Sequence, residues 1–294
     1  MRWNKITLVG VGLLGGSLGL AIKRRRLARE VAGYVRRAAS VKECADTGAV
    51  DFASTDLLAA VWNADLVILC TPLGQMRPLV KQLIPALKRG AIITDVGSVK
   101  GSVVKELETL IARAGGHFVG SHPMAGAEKT GVASARVDLF DSAVCVVTPT
   151  KRTNRSALRK VEEFWKAVGS QVLRMATETH DALVSRSSHL PHIVAATLAR
   201  HVLDPKHPPT LAALCANGFR DTTRIASGSP EMWRDIALAN HPQIRVALDD
   251  FVRELQRVQG ILRLGKAAEI ASLFETAKVR RDAWCGRHAS PSPE

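Results

Sequence analysis

Leu8-Val9-Gly10-Val11-Gly12-Leu13-Leu14-Gly15-Gly16-Ser17 decides how the chain is read. Residues 5–9 alternate and end apolar, the pattern of a buried strand. Leu18, Ala21 and Ile22 then follow at helical spacing. A strand, then G-x-G-x-x-G, then a helix is the dinucleotide-binding arrangement. Gly10 makes the tight turn, Gly12 lets backbone meet pyrophosphate, and Gly15 lets helix pack on strand. The helix N-terminus supplies free N–H groups and partial positive charge for phosphates. Gly10, Gly12, Leu14 and Gly15 are therefore the expected cofactor loop.

A second strand is expected at residues 31–35. A site for NAD usually ends this strand in Asp or Glu, which holds the ribose 2′-hydroxyl. Here Val35 stands at that place, followed by Arg36-Arg37. Guanidinium groups pair well with a 2′-phosphate. The reading favours NADP, with NAD as the alternative.

Residues 65–70 form a near-continuous apolar run, as a central parallel strand does. It ends in Thr71-Pro72, at a strand edge where ligands bind in such sheets. Residues 75–87 read as helix and 91–95 as the next strand, which ends before Ser98. Ser98 is a candidate ligand residue at that edge. After a helix at 103–112, residues 117–119 lead into Gly120-Ser121-His122-Pro123-Met124-Ala125-Gly126, read as a Gly/Pro turn carrying one histidine. Pro123 keeps His122 out of helical dihedrals. An imidazole that titrates near neutrality is a candidate proton acceptor. Strands at 143–147 and 171–173 flank a helix at 156–168. Alternating strands and helices imply a doubly wound, mostly parallel sheet.

Strand signals stop after residue 176. A helical stretch at 178–201 is interrupted by Ser187-Ser188-His189-Leu190-Pro191-His192. His189 and His192 share a helical face if the proline only kinks it. As a zinc pair they lack third and fourth ligands at usual spacing, so no metal is expected. Arg224 lies among apolar neighbours and is expected to be partly buried, against a carboxylate of Asp221 or of a substrate. Ile244, Ala247, Leu248, Phe251, Leu255, Val258 and Leu262 fall on one face of a long helix. Such a helix does not cover itself, which implies a homodimer. More helix is expected from 267 to about 284, then a disordered Pro/Ser-rich tail at 286–294. The expected domains are a dinucleotide-binding one at 1–176 and a helical substrate and dimerisation one at 177–285.

The chain has 294 residues, 46% of them apolar and 23% charged, as in ordinary globular proteins. The net charge of +14 admits nucleic acid, a membrane surface or an anionic small substrate as partner. The basic residues are scattered, and there are only 7 Phe, 5 Trp and 1 Tyr, which speaks against a base-stacking platform. The five cysteines are far apart, with no CxxC pair, which reads as reduced thiols and a cytoplasmic protein. The apolar N-terminal run is broken by glycines and reads as strand and loop rather than signal peptide. No stretch is long enough to span a membrane.

The chain resembles the prephenate/arogenate dehydrogenases of tyrosine biosynthesis. The matching stretches are the early glycine motif, Asp95-Val96-Gly97-Ser98-Val99-Lys100-Gly101, residues 120–126 with Glu128-Lys129-Thr130-Gly131, Ser188 to His192, and Phe219-Arg220-Asp221-Thr222-Thr223-Arg224-Ile225 with Met232-Trp233. They occur in family order over about residues 5–280. The resemblance implies a Rossmann domain followed by an all-α dimerisation domain of the 6-phosphogluconate-dehydrogenase-like kind. It also implies oxidation of prephenate or arogenate at C4 with loss of the ring carboxylate as CO2. By resemblance, His122 accepts the C4 hydroxyl's hydrogen bond and acts as base. Ser98 bonds the same hydroxyl or holds His122 and the nicotinamide. Arg224 pairs with a substrate carboxylate, His189 and His192 line the pocket, and Glu128 with Arg220 and Asp221 forms a gating ion-pair cluster. Two departures stand out: the second strand lacks an acidic end, and Ala127 replaces a hydroxyl residue of some relatives. The rival readings are a 3-hydroxyacid-type dehydrogenase, for which no helical-domain lysine stands out, and a non-catalytic NADP-sensing or nucleic-acid-binding protein. No nucleic acid and no membrane are expected as partners.

Overall fold

All four residues of Leu66–Leu69 are buried. Leu66 and Ile68 pack into one apolar core, Val67 and Leu69 into another. A strand covered on both faces belongs in the interior of an α/β sheet. In the computed structural model, which describes residues 2–127 and 129–288, it is the fourth of eight strands. These are β1 (Trp3–Val9), β2 (Ala28–Tyr34), β3 (Phe52–Ser54), β4 (Leu66–Leu69), β5 (Ile92–Asp95), β6 (His117–Pro123), β7 (Val144–Thr148) and β8 (Gln171–Arg174). They lie in the order β3-β2-β1-β4-β5-β6-β7-β8. Neighbouring strands are parallel except β6 and β7, which are antiparallel.

Six helices cover the sheet: α1 (Leu13–Arg24), α2 (Ala38–Thr47), α3 (Leu57–Val61), α4 (Leu73–Leu83), α5 (Gly101–Arg113) and α6 (Arg155–Val168). Leu18 and Ile22 of α1, Cys44 of α2 and Phe164 and Trp165 of α6 join one core with Ile6 and Leu8. Val61 of α3, Met76 and Val80 of α4 and Leu107 and Ile111 of α5 join the other with Ile93. The doubly wound, mostly parallel sheet expected from the alternation is present. Chain order reverses between β1 and β4, so the C-terminal ends of these strands open a crevice.

From Thr177 onward the described residues are helices and turns: α7 (Thr177–Val184), a π-type turn (Ser185–His189), α8 (Leu190–Val202), α9 (Pro209–Ala213), α10 (Asn217–Thr223), a 3-10 turn (Arg224–Ser227), α11 (Pro230–Ala239), α12 (His241–Arg263) and α13 (Ala267–His288). The expected break near Pro191 is this π-type turn. Pro191 follows it at the start of α8, and the chain keeps helical dihedrals through His189 and Leu190. Helix α13 passes Gly286, where a disordered tail was expected to begin, and reaches His288; the rest of that tail lies outside the described residues. By their contacts, Met1–Ile244 form one compact unit and Arg245–Glu294 another. In the second unit Leu255, Leu262, Phe274 and Val279 are exposed. Among the described residues no helix is long and apolar enough to cross a membrane.

Two strand features escaped the sequence pattern. Strand β3 is only three residues long and its Phe52 is exposed, so no apolar run marks it. Strand β6 was expected to end at Val119 in a turn. It continues to Pro123 because Gly120, Ser121, His122 and Pro123 pair with Thr148, Val147, Val146 and Cys145 of β7. His122 therefore stands on a strand, held by a backbone ladder.

A buried ion pair locks that strand. Lys100 and Asp95 are both 0% exposed and their side chains are paired. The Lys100 ammonium also donates to the Ser121 carbonyl at 2.8 Å. Asp95 accepts from the backbone N–H of Gly97 at 2.9 Å and of Ser121 at 3.1 Å. The Ser121 hydroxyl donates to the Asp95 carbonyl at 2.6 Å and accepts the Trp165 indole N–H at 3.0 Å. Burial pulls the Lys100 ammonium below its usual pKa, opposed by Asp95. Removing one partner of such a pair strands the other charge. Lys100→Met is expected to cost about 3–5 kcal/mol, read from urea unfolding, and Lys100→Met with Asp95→Leu should recover much of it. Equal loss in the single and double variants would contradict the stranded-charge account.

Candidate active site

The crevice at β1 and β4 is shaped by its glycines. Gly10 has φ of +98°, a left-handed value that favours glycine. A Cβ on Gly15 would lie 2.1 Å from the Gly10 carbonyl oxygen, so α1 can approach the turn this closely only with glycine there. A Cβ on Gly12 would meet nothing within 4 Å. Gly12 is the N-cap of α1 and offers no side chain, so the first N–H groups of the helix remain open to an anion. Leu14, in the first turn of α1, packs its half-buried side chain against the core. Thr71 stands across the turn, its methyl 2.8 Å from where a Gly10 Cβ would be. Its buried hydroxyl has no hydrogen-bond partner among the described residues. Pro72 is the N-cap of α4. Arg36 and Arg37 are exposed just past the end of β2, and Arg37 occupies the N-cap position of α2 without a side-chain capping bond. Open helix N–H groups, vacant space at Gly12 and an orphaned hydroxyl fit a bound dinucleotide pyrophosphate.

His122 is 8% exposed at the end of β6. Its Nδ1 lies 2.9 Å from His180 Nε2, and His180 Nδ1 lies 2.7 Å from Asp181 Oδ1. The Asp181 carboxylate also accepts the backbone N–H of Lys100 and of Gly101, each at 2.8 Å. It thereby caps α5, whose own N-cap residue offers no side-chain bond. Burial opposes the charge of Asp181, but the bonds from His180, Lys100 and Gly101 outweigh it and hold its pKa below the usual range. An ionised Asp181 only accepts, so His180 carries its proton on Nδ1. His180 Nε2 then accepts from His122 Nδ1–H, which leaves the lone pair of His122 on Nε2. Burial, then the neighbouring His180, Lys100 and His189, push the His122 pKa well below 6.5. His122 is thus a neutral imidazole with one accepting nitrogen, the state a proton acceptor needs. His180 and Asp181 were not anticipated, and the adjacent His-Asp pair at the head of a helix was the available signal.

Among the other expected residues, His189 is buried and His192 half-buried. Both face Trp233: His192 stacks on it with ring centroids 3.8 Å apart, and His189 meets it edge-on at 6.2 Å. His189 Nδ1 lies 3.2 Å from the Asn240 amide nitrogen, and its buried Nε2 has no partner among the described residues. Ser98 is half-buried on the loop after β5; Lys100, not Ser98, is the N-cap of α5. Arg224 was expected to be partly buried. It is exposed, because the 3-10 turn at 224–227 turns it outward while Thr223 is the buried residue of that stretch. Arg220 and Asp221 are both exposed, 3.8 Å apart. Glu128, the expected gating carboxylate, lies outside the described residues. Among the described residues no three His, Cys, Asp or Glu side chains are arranged to hold a metal ion.

A doubly wound sheet with a dinucleotide crevice at its switch point, beside a buried neutral histidine, defines a Rossmann-type dehydrogenase. Residues 18–174 match the family model described as prephenate dehydrogenase, nucleotide-binding domain, and residues 176–276 match prephenate dehydrogenase, dimerization domain. The chain is 35% identical over 281 residues to the prephenate dehydrogenase of Bacillus subtilis, covering 95% of this chain and 76% of that one. It is similar in structure to the prephenate dehydrogenase of A. aeolicus in complex with hydroxyphenyl propionate and NAD+, with a TM-score of 0.90 and 32% identity over 96% and 99% of the two chains. It is also similar to the Synechocystis arogenate dehydrogenase, with a TM-score of 0.79 and 30% identity over 95% and 99%. The chain belongs to the prephenate dehydrogenase family.

Two outcomes follow from this geometry. Gly12→Ala should leave the urea midpoint nearly unchanged while weakening dinucleotide binding at least tenfold by calorimetry, whereas Gly15→Ala should lower both. Equal binding by Gly12→Ala would contradict the pyrophosphate placement. The second outcome concerns pH. Burial pushes the His189 pKa down to about 4, while the unfolded chain titrates near 6.5. Between these values the unfolded state binds the extra proton, so stability falls as pH falls from about 6.5 toward 4. His122 acts with the same sign. Unfolding at pH 7 and pH 5 should differ by on the order of 2 kcal/mol from His189, and His189→Gln should shrink the difference.

Proposed function

We propose that this chain oxidises prephenate to 4-hydroxyphenylpyruvate and CO2, with hydride transfer to a nicotinamide dinucleotide, as a cytoplasmic step of tyrosine biosynthesis. The observation that carries this reading is the free accepting nitrogen of His122, with Nδ1 already engaged by His180 at 2.9 Å. His122 Nε2 takes the proton of the C4 hydroxyl as the C–H bond at C4 gives up its hydride. The ring carboxylate then leaves as CO2, its bonding electrons aromatise the ring, and the product oxygen recovers the proton from His122. A nicotinamide dinucleotide would be held at Gly10, Gly12, Leu14, Gly15, Thr71 and Pro72 and, when bound, would supply the hydride acceptor. Asp181 stabilises the imidazolium through His180.

In the same reading, residues 1–176 bind the dinucleotide and 177–285 complete the substrate site and a homodimer. The exposed Leu255, Leu262, Phe274 and Val279 support that assembly. Ser98 bonds the reacting hydroxyl, His189 and His192 line the pocket, and Arg224 pairs with a substrate carboxylate. Arg220 and Asp221 belong to a gate at the site. Arg36 and Arg37, at the end of a strand with no acidic residue, support a preference for NADP over NAD. Arogenate, which would give tyrosine directly, is the second reading, supported by the likeness to the Synechocystis enzyme.

The test crosses prephenate and arogenate with NADP and NAD, following absorbance at 340 nm. The expected result is fastest turnover of prephenate with NADP by a particle of twice the 31.7 kDa chain mass. His122→Asn should lose roughly 10²–10⁴-fold in kcat with dinucleotide affinity intact. Near-normal turnover by His122→Asn would contradict the mechanism, and silence in all four combinations would contradict the function.

A further inference from the structure

Asn240 follows α11 and is 2% exposed. Its Nδ2 lies 2.9 Å from the Asp181 carbonyl oxygen and 3.2 Å from His189 Nδ1. The first contact orients the amide. Turned over, the amide would set its own oxygen against the Asp181 carbonyl, two acceptors at hydrogen-bond distance, so the nitrogen belongs there. An amide nitrogen only donates, so His189 Nδ1 accepts, and the single proton of the neutral ring sits on Nε2. That N–H is buried without a partner among the described residues. A buried unsatisfied donor is costly, and this one belongs to the cluster that runs from Asn240 through Asp181 and His180 to His122.

We propose that Asn240 is a positioning residue that fixes His189 in the Nε2–H tautomer, making His189 a dedicated donor to an oxygen acceptor of the substrate. The inference rests on the proposed function for its substrate. The acceptor is either a carboxylate, which prephenate and arogenate share, or the side-chain carbonyl, which prephenate alone carries. The ammonium of arogenate has no lone pair to offer this N–H.

Asn240→Asp tests it at nearly constant size. The new carboxylate gives up the bond to the Asp181 carbonyl, accepts from His189 Nδ1–H and pulls the proton from Nε2. Nitrogen-15 NMR of labelled histidine should report the Nε2–H tautomer at His189 in the wild-type protein, and Nδ1–H or an imidazolium in Asn240→Asp. Substrate KM should rise roughly ten- to a hundredfold, with kcat changed less and dinucleotide affinity unchanged. His189→Gln places an amide donor near Nε2 whatever residue 240 is, so Asn240→Asp in that background should cost little. Loss with prephenate alone assigns the carbonyl as acceptor, and equal loss with arogenate assigns a carboxylate. An Nδ1–H tautomer in the wild type, or the same KM penalty in both backgrounds, overturns the proposal. The NMR readout needs no turnover, so failure of the proposed function, seen as wild-type silence with both substrates, is distinguishable from failure of this inference.

Discussion

The carboxylate of Asp181 sits at the N-terminus of α5, where two backbone N–H groups and the imidazole of His180 converge on it. A helix N-terminus carries unsatisfied donors and partial positive charge, and α5 supplies no side chain of its own to meet them. Asp181 comes from α7, 80 residues further along the chain than Gly101. One group therefore joins the first helical segment after the sheet to the sheet itself, caps a helix and sets the tautomer of a histidine chain. Those three effects share one negative charge, so none can be lost alone.

The other end of the chain, His122, is held by different means. Its strand is clamped between β5 and β7, and the Lys100–Asp95 pair buries a full positive charge behind it. A buried ion pair is an expensive way to fasten two strands compared with apolar packing. Here it has a second effect: the nearby ammonium is one of the causes that keep His122 neutral. The segment 95–101 thus serves mainly as a brace. Its aspartate and lysine are fully buried, while Ser98 is half-buried on the loop between them.

The glycine motif, Thr71 and the alternation of strands and helices were legible because their physics is local: a tight turn, an open helix end, a two-sided apolar strand. His122 was legible as a chemical group but not as a strand residue, since its ladder partner β7 lies more than 20 residues away. His180, Asp181, Lys100 and Asn240 were not legible. Their decisive contacts cross dozens of residues, His180 to His122, Asp181 to the α5 backbone, Lys100 to Ser121 and Asn240 to His189, and the adjacent His-Asp pair was the one local signal. Arg224 shows the reverse error, where apolar neighbours in sequence suggested burial and the turn placed the side chain outside.

The account depends on the direction of the hydrogen bonds from Asp181 to His122, and nitrogen-15 NMR titration of His122 reads that direction without any substrate. The account predicts a neutral ring with its proton on Nδ1 through the physiological range, and protonation of Nε2 only well below pH 6.5. A proton on Nε2 of the neutral ring, or a pKa at or above 7, would contradict it, because Nε2 would then be occupied and could not receive the substrate's proton.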